Sequence, residues 1–245
     1  MAIAFDTNET TGWVLAKVND DSSNSTIRCN VPSSTVNGDL LIAVSSTNSS
    51  KNPTNFTPPG GWTQVYYPDY LVGTFTVPIG VWYRIASGEP SYYDWTLTAD
   101  VYDDYLAIHR ITGHDSGTPI DLASAGSTSL NGTSFTCPSQ TTVTNNAVLV
   151  CIVAAKDGTA LTGTDTGYPS GMTGLYSRST GNWSSGINMG LAYEARASSG
   201  ATGTRAWTSY LTGAKYGATV SFTIRPSSGS ASVAPRAMLM GVGNK

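Results

Sequence analysis

Charge is what this sequence has least of. Lys and Arg number 13 and Asp and Glu 16, so charged residues fill only 12% of 245 positions, about half the usual share for a soluble domain. The net charge is −3 and no run of Lys or Arg occurs, so no nucleic-acid groove is expected. Histidine is confined to His109 and His114, and glutamate to Glu9, Glu89 and Glu194. The three cysteines, Cys29, Cys137 and Cys151, have no C-x-x-C spacing. They read as reduced, partly buried thiols rather than a metal knuckle or disulfide framework. No apolar run reaches membrane-spanning length, so no membrane partner is expected. Met1 leads into Ala-Ile-Ala-Phe-Asp without the basic start and apolar core of a secretory signal. The expectation is a chain made in a cytoplasm and kept there or released by lysis.

Helix formers are scarce as well, whereas Thr, Val, Tyr and Gly abound, which argues for strands and turns. No segment carries an apolar stripe at helical spacing. Residues 39–46 form an apolar strand after the turn Asn37-Gly38-Asp39. Pro58-Pro59-Gly60-Gly61 then introduces an alternating strand, with Trp62, Gln64 and Tyr66 expected on one face and Thr63, Val65 and Tyr67 on the other. Further strands are expected over 75–86, with a break at Pro78, over 92–98 and over 105–112.

The same order recurs downstream. Residues 146–153 match 38–45, and Pro169-Ser170-Gly171-Met172-Thr173 matches Pro59-Gly60-Gly61-Trp62-Thr63. Tyr193 matches Tyr83, Trp207 matches Trp95, and 218–225 matches the strand ending at Ile111. Cys137 stands where Cys29 stands in the first copy. The offset stays near 108–112, as in Cys29 to Cys137 (108) and Trp95 to Trp207 (112). Agreement across five ordered segments reads as a duplication. The fold class expected is all-β, with tandem duplicated β-sandwich, jelly-roll-like units and a short C-terminal tail. The units are 1–121 and 122–228, followed by a linker and docking tail at 229–245. One large sandwich, half from each repeat, fits the period-2 pattern equally.

Catalytic chemistry has little to stand on. His114-Asp115 lacks a nucleophile elbow, since no G-x-S-x-G occurs, and no companions at metal-ligand spacing appear. No pair of carboxylates is singled out for glycoside hydrolysis. The loop Asp100-Val101-Tyr102-Asp103-Asp104 has oxygen ligands but not the spacing of a calcium loop. No catalytic residue, metal or cofactor is expected. Tyrosine is more suggestive, clustered at Tyr66, Tyr67 and Tyr70, at Tyr92 and Tyr93, and at Tyr102 and Tyr105. Such rings suit interfaces or sugar stacking, while Trp62, Trp82, Trp95 and Trp207 read as core. The interface candidates are Tyr66, Tyr67, Tyr70 and Tyr102, with Met238, Leu239 and Met240 of the tail.

The runs Asn37-Gly38-Asp39-Leu40-Leu41-Ile42-Ala43, Pro58-Pro59-Gly60-Gly61-Trp62-Thr63 and Val81-Trp82-Tyr83-Arg84-Ile85-Ala86 resemble tailed-phage virion β-sandwich proteins. These comprise head decoration (cement) proteins and fibre or spike modules. The resemblance implies a non-enzymatic virion protein on the capsid surface, made in the host cytoplasm. It implies a homotrimer, the major capsid protein as partner and no cofactor. The alternative is a carbohydrate- or receptor-binding module of a fibre or spike, with a glycan as ligand.

Overall fold

The computed structural model describes residues 1–19, 26–47, 56–67, 77–97, 103–132, 134–156, 167–179, 187–208 and 215–228. All regular structure among them is β. The first half contributes β1 (Ala4–Phe5), β2 (Trp13–Asn19), β3 (Thr26–Asn30), β4 (Leu40–Thr47), β5 (Phe56–Thr57), β6 (Thr63–Tyr66), β7 (Ile79–Ile85), β8 (Tyr92–Leu97) and β9 (Asp103–Thr112). The second contributes β10 (Ile120–Gly132), β11 (Phe135–Cys137), β12 (Thr141–Thr142), β13 (Ala147–Lys156), β14 (Thr173–Ser179), β15 (Ile187–Arg196), β16 (Gly200–Ala201), β17 (Arg205–Trp207) and β18 (Lys215–Ile224). The chain thus passes from one half to the other between Thr112 and Ile120.

Each half builds a large antiparallel sheet and a small one. The first large sheet has the order β1-β9-β4-β7-β6, with β2 also on β9, and its small sheet is β3-β8-β5. The second large sheet is β10-β18-β13-β15-β14, its small partner β11-β17, and β12-β16 forms a further pair. In both halves the long last strand lies between the first strand and the central one. That is the strand order of a jelly roll, with β6 and β14 moved to the edge of the large sheet.

The two large sheets pack on each other, which gives four layers. One apolar core joins Leu40, Ile42, Val44 and Val81 of the first half to Val150, Ile152, Leu191 and Phe222 of the second. Alternate residues of β4, Leu41 and Ala43, turn the other way and pack with Ile27, Trp82 and Trp95 under the first small sheet. On β13, Leu149, Cys151 and Val153 likewise pack with Phe135, Cys137 and Trp207. Both central strands are therefore apolar at consecutive positions, because both faces are buried. The three cysteines are free and buried, and burial pushes the Cys29 thiol up to about 12.

Repeat-equivalent turns set the edge strands. Gly61 and Gly171 both have positive φ, +88° and +80°, a backbone state glycine adopts without strain. The strand that follows each carries a bulge, between Gln64 and Tyr66 in one copy and between Gly174 and Tyr176 in the other. The extra residue breaks the alternation expected for 62–67. Trp62 and Tyr67 pack in the first half's own core, whereas Tyr66 is turned into the core between the halves. Tyr66 lies over β10 at Gly126, where a Cβ would collide with the phenol oxygen. The Val65 carbonyl, out of the ladder, accepts the Ser124 hydroxyl at 2.6 Å. Tyr176 reciprocates by stacking on His109, with ring centroids 5.3 Å apart.

A shared core predicts one unfolding unit. Phe222→Ala should cost about 3–5 kcal/mol. It should lower the denaturant midpoint read by the first half's Trp62, Trp82 and Trp95 as much as that read by far-UV dichroism. A tryptophan transition that stays in place would show that the halves unfold independently.

Candidate functional site

One end of the block is built by matching loops from the two halves. Asp39 is buried and accepts hydrogen bonds from Arg110 Nε at 2.6 Å and the Val36 amide at 2.9 Å. The second half uses a different aspartate for the same task. Asp121 accepts from the Val143 amide at 2.9 Å, from Arg225 Nε at 3.2 Å and from the Thr144 hydroxyl. Burial alone would raise the Asp121 pKa, but the bonds from Thr144, Val143 and Arg225 outweigh it and the carboxyl stays below its usual range. Asn37 Oδ1 then accepts the Gly88 amide at 2.8 Å, and Asn145 Oδ1 accepts the Ser199 amide at 2.8 Å. The crossover lies between the two loops. His114 faces the charge of Asp39, and the Asp115 amide donates to the Arg225 carbonyl at 2.9 Å.

Each buttressed loop holds out one valine. Val36 is 60% exposed and Val143 is 59% exposed. Lone exposed apolar residues are ordinary. Two of them stand in corresponding loops whose amides are fixed by buried carboxylates, one position out of register, since Val36 matches Thr144 and Val143 matches Thr35 at the offset that pairs Asn37 with Asn145. The sequence carried a signal for them, an apolar residue amid turn formers in Thr35-Val36-Asn37-Gly38 and again in Thr142-Val143-Thr144-Asn145.

The residues singled out from sequence lie elsewhere. Tyr66 and Tyr67 are half-buried and pack inside the chain, Tyr66 between the halves and Tyr67 5.6 Å from the Trp82 ring. Tyr70, Tyr102, Met238, Leu239 and Met240 lie outside the described residues, as do Asp100 and Val101 of the acidic loop. Asp104 is fully buried in β9. Trp62, Trp82, Trp95 and Trp207 are core, as expected. Tyr92 is 39% exposed and carries the Arg28 guanidinium 3.7 Å over its ring, while Arg28 also pairs with Asp94 at 2.7 Å.

Two open grooves flank the valine loops. The first, of about 740 Å³, is lined by Glu9, Thr10, Asn30, Ser33 and Ser91 with Glu89 in its wall. Glu89 is already engaged, pairing with Arg84 at 3.0 Å and accepting from the Tyr93 hydroxyl and the Ser87 amide. Burial, then that contact with Glu89, raises the Tyr93 pKa. The second groove, of about 910 Å³, runs between Met1, Ile3, Val148, Ala195, Ala197 and Pro226. No group of His, Cys, Asp and Glu among the described residues is placed to hold a metal ion.

His109 is 1% exposed in the core between the halves, with Tyr176 stacked on it and Tyr105 as the next neutral ring. Burial depresses its pKa to about 3. The unfolded chain binds a proton at this histidine near pH 6.5. The folded chain does not until near pH 3. Stability should therefore be full above about pH 6.5 and fall as pH drops, by at most about 1.4 kcal/mol per unit from this group. His114, also lowered by burial, adds to the same trend. Urea midpoints between pH 7 and 4.5, above the carboxylate range, should show this slope. His109→Phe should flatten it, and an unchanged slope would assign it elsewhere.

No family model, no curated protein and no solved structure matches this chain.

Proposed function

We propose that this chain is a non-enzymatic structural protein of a tailed-phage virion, a decoration or cement protein that binds the head surface. The observation that carries the reading is the pair of buttressed valine loops at one end of the layered β-block. A surface that must seat on a preformed lattice loses least on binding when its contact loops are already fixed. The jelly-roll strand order gives support by analogy, since that architecture recurs in viral capsid domains as well as lectins. The buried and half-buried carboxylates support it too. Asp39, Asp121, Glu89 and Glu194 each hold an arginine in a structural pair. The partner is the major capsid protein, and the assembly is a closed homotrimer. Three copies would present six valines to a repeating lattice, so weak single contacts add through multivalency.

One feature favours the second reading, a carbohydrate- or receptor-binding module of a fibre or spike. The 740 Å³ groove combines the carboxylate of Glu9, the amide of Asn30 and several hydroxyls, a lining that suits a polyhydroxylated ligand.

Co-sedimentation with DNA-free heads tests the first reading, with solution mass measured in parallel. Wild type should pellet with heads and weigh as a trimer. The double variant Val36→Asp, Val143→Asp should keep its fold and bind at least about tenfold more weakly, the loss of one to two apolar anchors. A monomer that stays in the supernatant at micromolar concentration overturns the reading. A glycan-array signal without head binding would favour the second.

A further inference from the structure

The 910 Å³ groove is open and partly apolar. Its apolar lining comes from both halves, with Met1 and Ile3 on one side and Val148, Ala195 and Ala197 on the other. Met1 is 83% exposed, more than any other large apolar side chain described. The two guanidinium groups at its rim are already paired, Arg196 with Glu194 at 2.6 Å and Arg225 with Asp121 at 3.2 Å. The Asp115 carboxylate on the same rim is held below its usual pKa by the amides of Thr118 and Gly117, so it stays negative.

The chain itself leads out of this groove. Pro226, Ser227 and Ser228 line it, and Ser228 is the last described residue. The chain continues as Gly229-Ser230-Ala231-Ser232, then Val233-Ala234-Pro235-Arg236-Ala237-Met238-Leu239-Met240. The segment 229–245 contains Arg236 and Lys245 and no acidic side chain, which complements Asp115. Ten peptide units separate Ser228 from Met238. Fully extended they reach about 33–36 Å, and as a Gly/Ser-type linker they average about 16–19 Å. Either span allows Met238 to return to a groove that begins at Ser228. A tether of that length holds its end at a millimolar effective concentration, above what another copy supplies in dilute solution. Methionine suits an irregular apolar slot, because its unbranched side chain adapts to the gap.

We propose that Met238, Leu239 and Met240 dock into this groove of their own chain. The inference goes beyond head binding and does not depend on it.

Disulfide trapping in the full chain tests it. The chain carrying Ala197→Cys and Leu239→Cys is oxidised beside a control carrying Thr57→Cys and Leu239→Cys. Ala197 is exposed on the groove and Thr57 is exposed on the outer strand β5. The native cysteines are buried and compete little. The expected result is a bond within one chain between positions 197 and 239, formed at least about tenfold faster than the control bond. Adding Met238→Asp and Met240→Asp should bring that rate down to the control. Equal rates at 197 and 57 would overturn the proposal. So would a preference that survives both aspartates. A bond formed only between chains, with a rate rising with concentration, would assign the groove to the tail of a second copy and overturn it as well.

Discussion

Burial of both faces of both large sheets is the constraint on which the rest of this structure depends. A sheet covered on one side alternates apolar and polar residues; a sheet covered on both has no face turned to water, so it is mostly apolar and its few polar side chains are buried. Hence β4 is buried along its whole length, and β13 is apolar from Ala147 to Ala155. The layers must also lie close, so small residues recur where they meet, at Ala107, Ala154 and Ala218. Charge is pushed to the ends and outer layers. There it is held in arginine–carboxylate pairs such as Arg110 with Asp39 and Arg28 with Asp94. The low charge content of the sequence fits a molecule in which two of four layers are interior.

Much of this was legible in the residues alone, for identifiable reasons. The repeated sequence pattern runs parallel to a repeated strand order, because matched positions have similar environments. Cys29 and Cys137 are both fully buried on small-sheet strands, and Trp95 and Trp207 both fill the core beneath. Whether the copies made one sandwich or two lay beyond period-2 reasoning, which reports a strand's faces and not what covers them. The consecutive apolar residues of 40–44 and 148–155 were the available clue. The strand at 62–67 misled because a bulge shifts every later side chain to the opposite face, and no residue type announces one. Tyr66 therefore serves the seam between the halves rather than an outer surface. The valine loops escaped notice because part of their buttress is non-local. The Val36 amide is held by Asp39 three residues on, but Asp39 is held by Arg110 from β9, and Val143 is held by Asp121 with Arg225; spacing carries no trace of such partners.

The copies differ most where the fold does not dictate the residue, and this bears on where recognition can reside. Beneath the first small sheet Trp62, Trp82 and Trp95 pack ring on ring, with centroids 5.4 and 4.9 Å apart. The matched positions of the second copy are Met172, Ala192 and Trp207. The second copy instead brings polar groups under its sheet, where Gln140 Nε2 donates to the Ser221 carbonyl at 3.0 Å and the Ser221 hydroxyl donates to the Pro138 carbonyl at 2.8 Å. Two unlike cores support equivalent end loops. The shared geometry at the end is thus maintained by hydrogen bonds among the end loops themselves and not inherited from the core.

One pair of positions shows what kind of constraint acts on the charged residues. Arg84 and Glu194 occupy the same place in the two ladders, opposite Leu41 and Leu149. The sign of the charge is reversed. In the first copy Arg84 meets Glu89 at 3.0 Å. In the second, Glu194 meets Arg205 and Arg196, each at 2.6 Å. A residue performing acid–base or electrostatic chemistry would depend on its sign. A residue that must only avoid standing unpaired in a half-buried place would not, provided its neighbour changed with it. Glu194, one of three glutamates and the only one within a long strand, is therefore accounted for by pairing. The same holds for Glu89, whose remaining oxygen takes the Tyr93 hydroxyl. Arg84 and Glu194, charged at one matched position with opposite sign, thus act as paired supports of their own ladders.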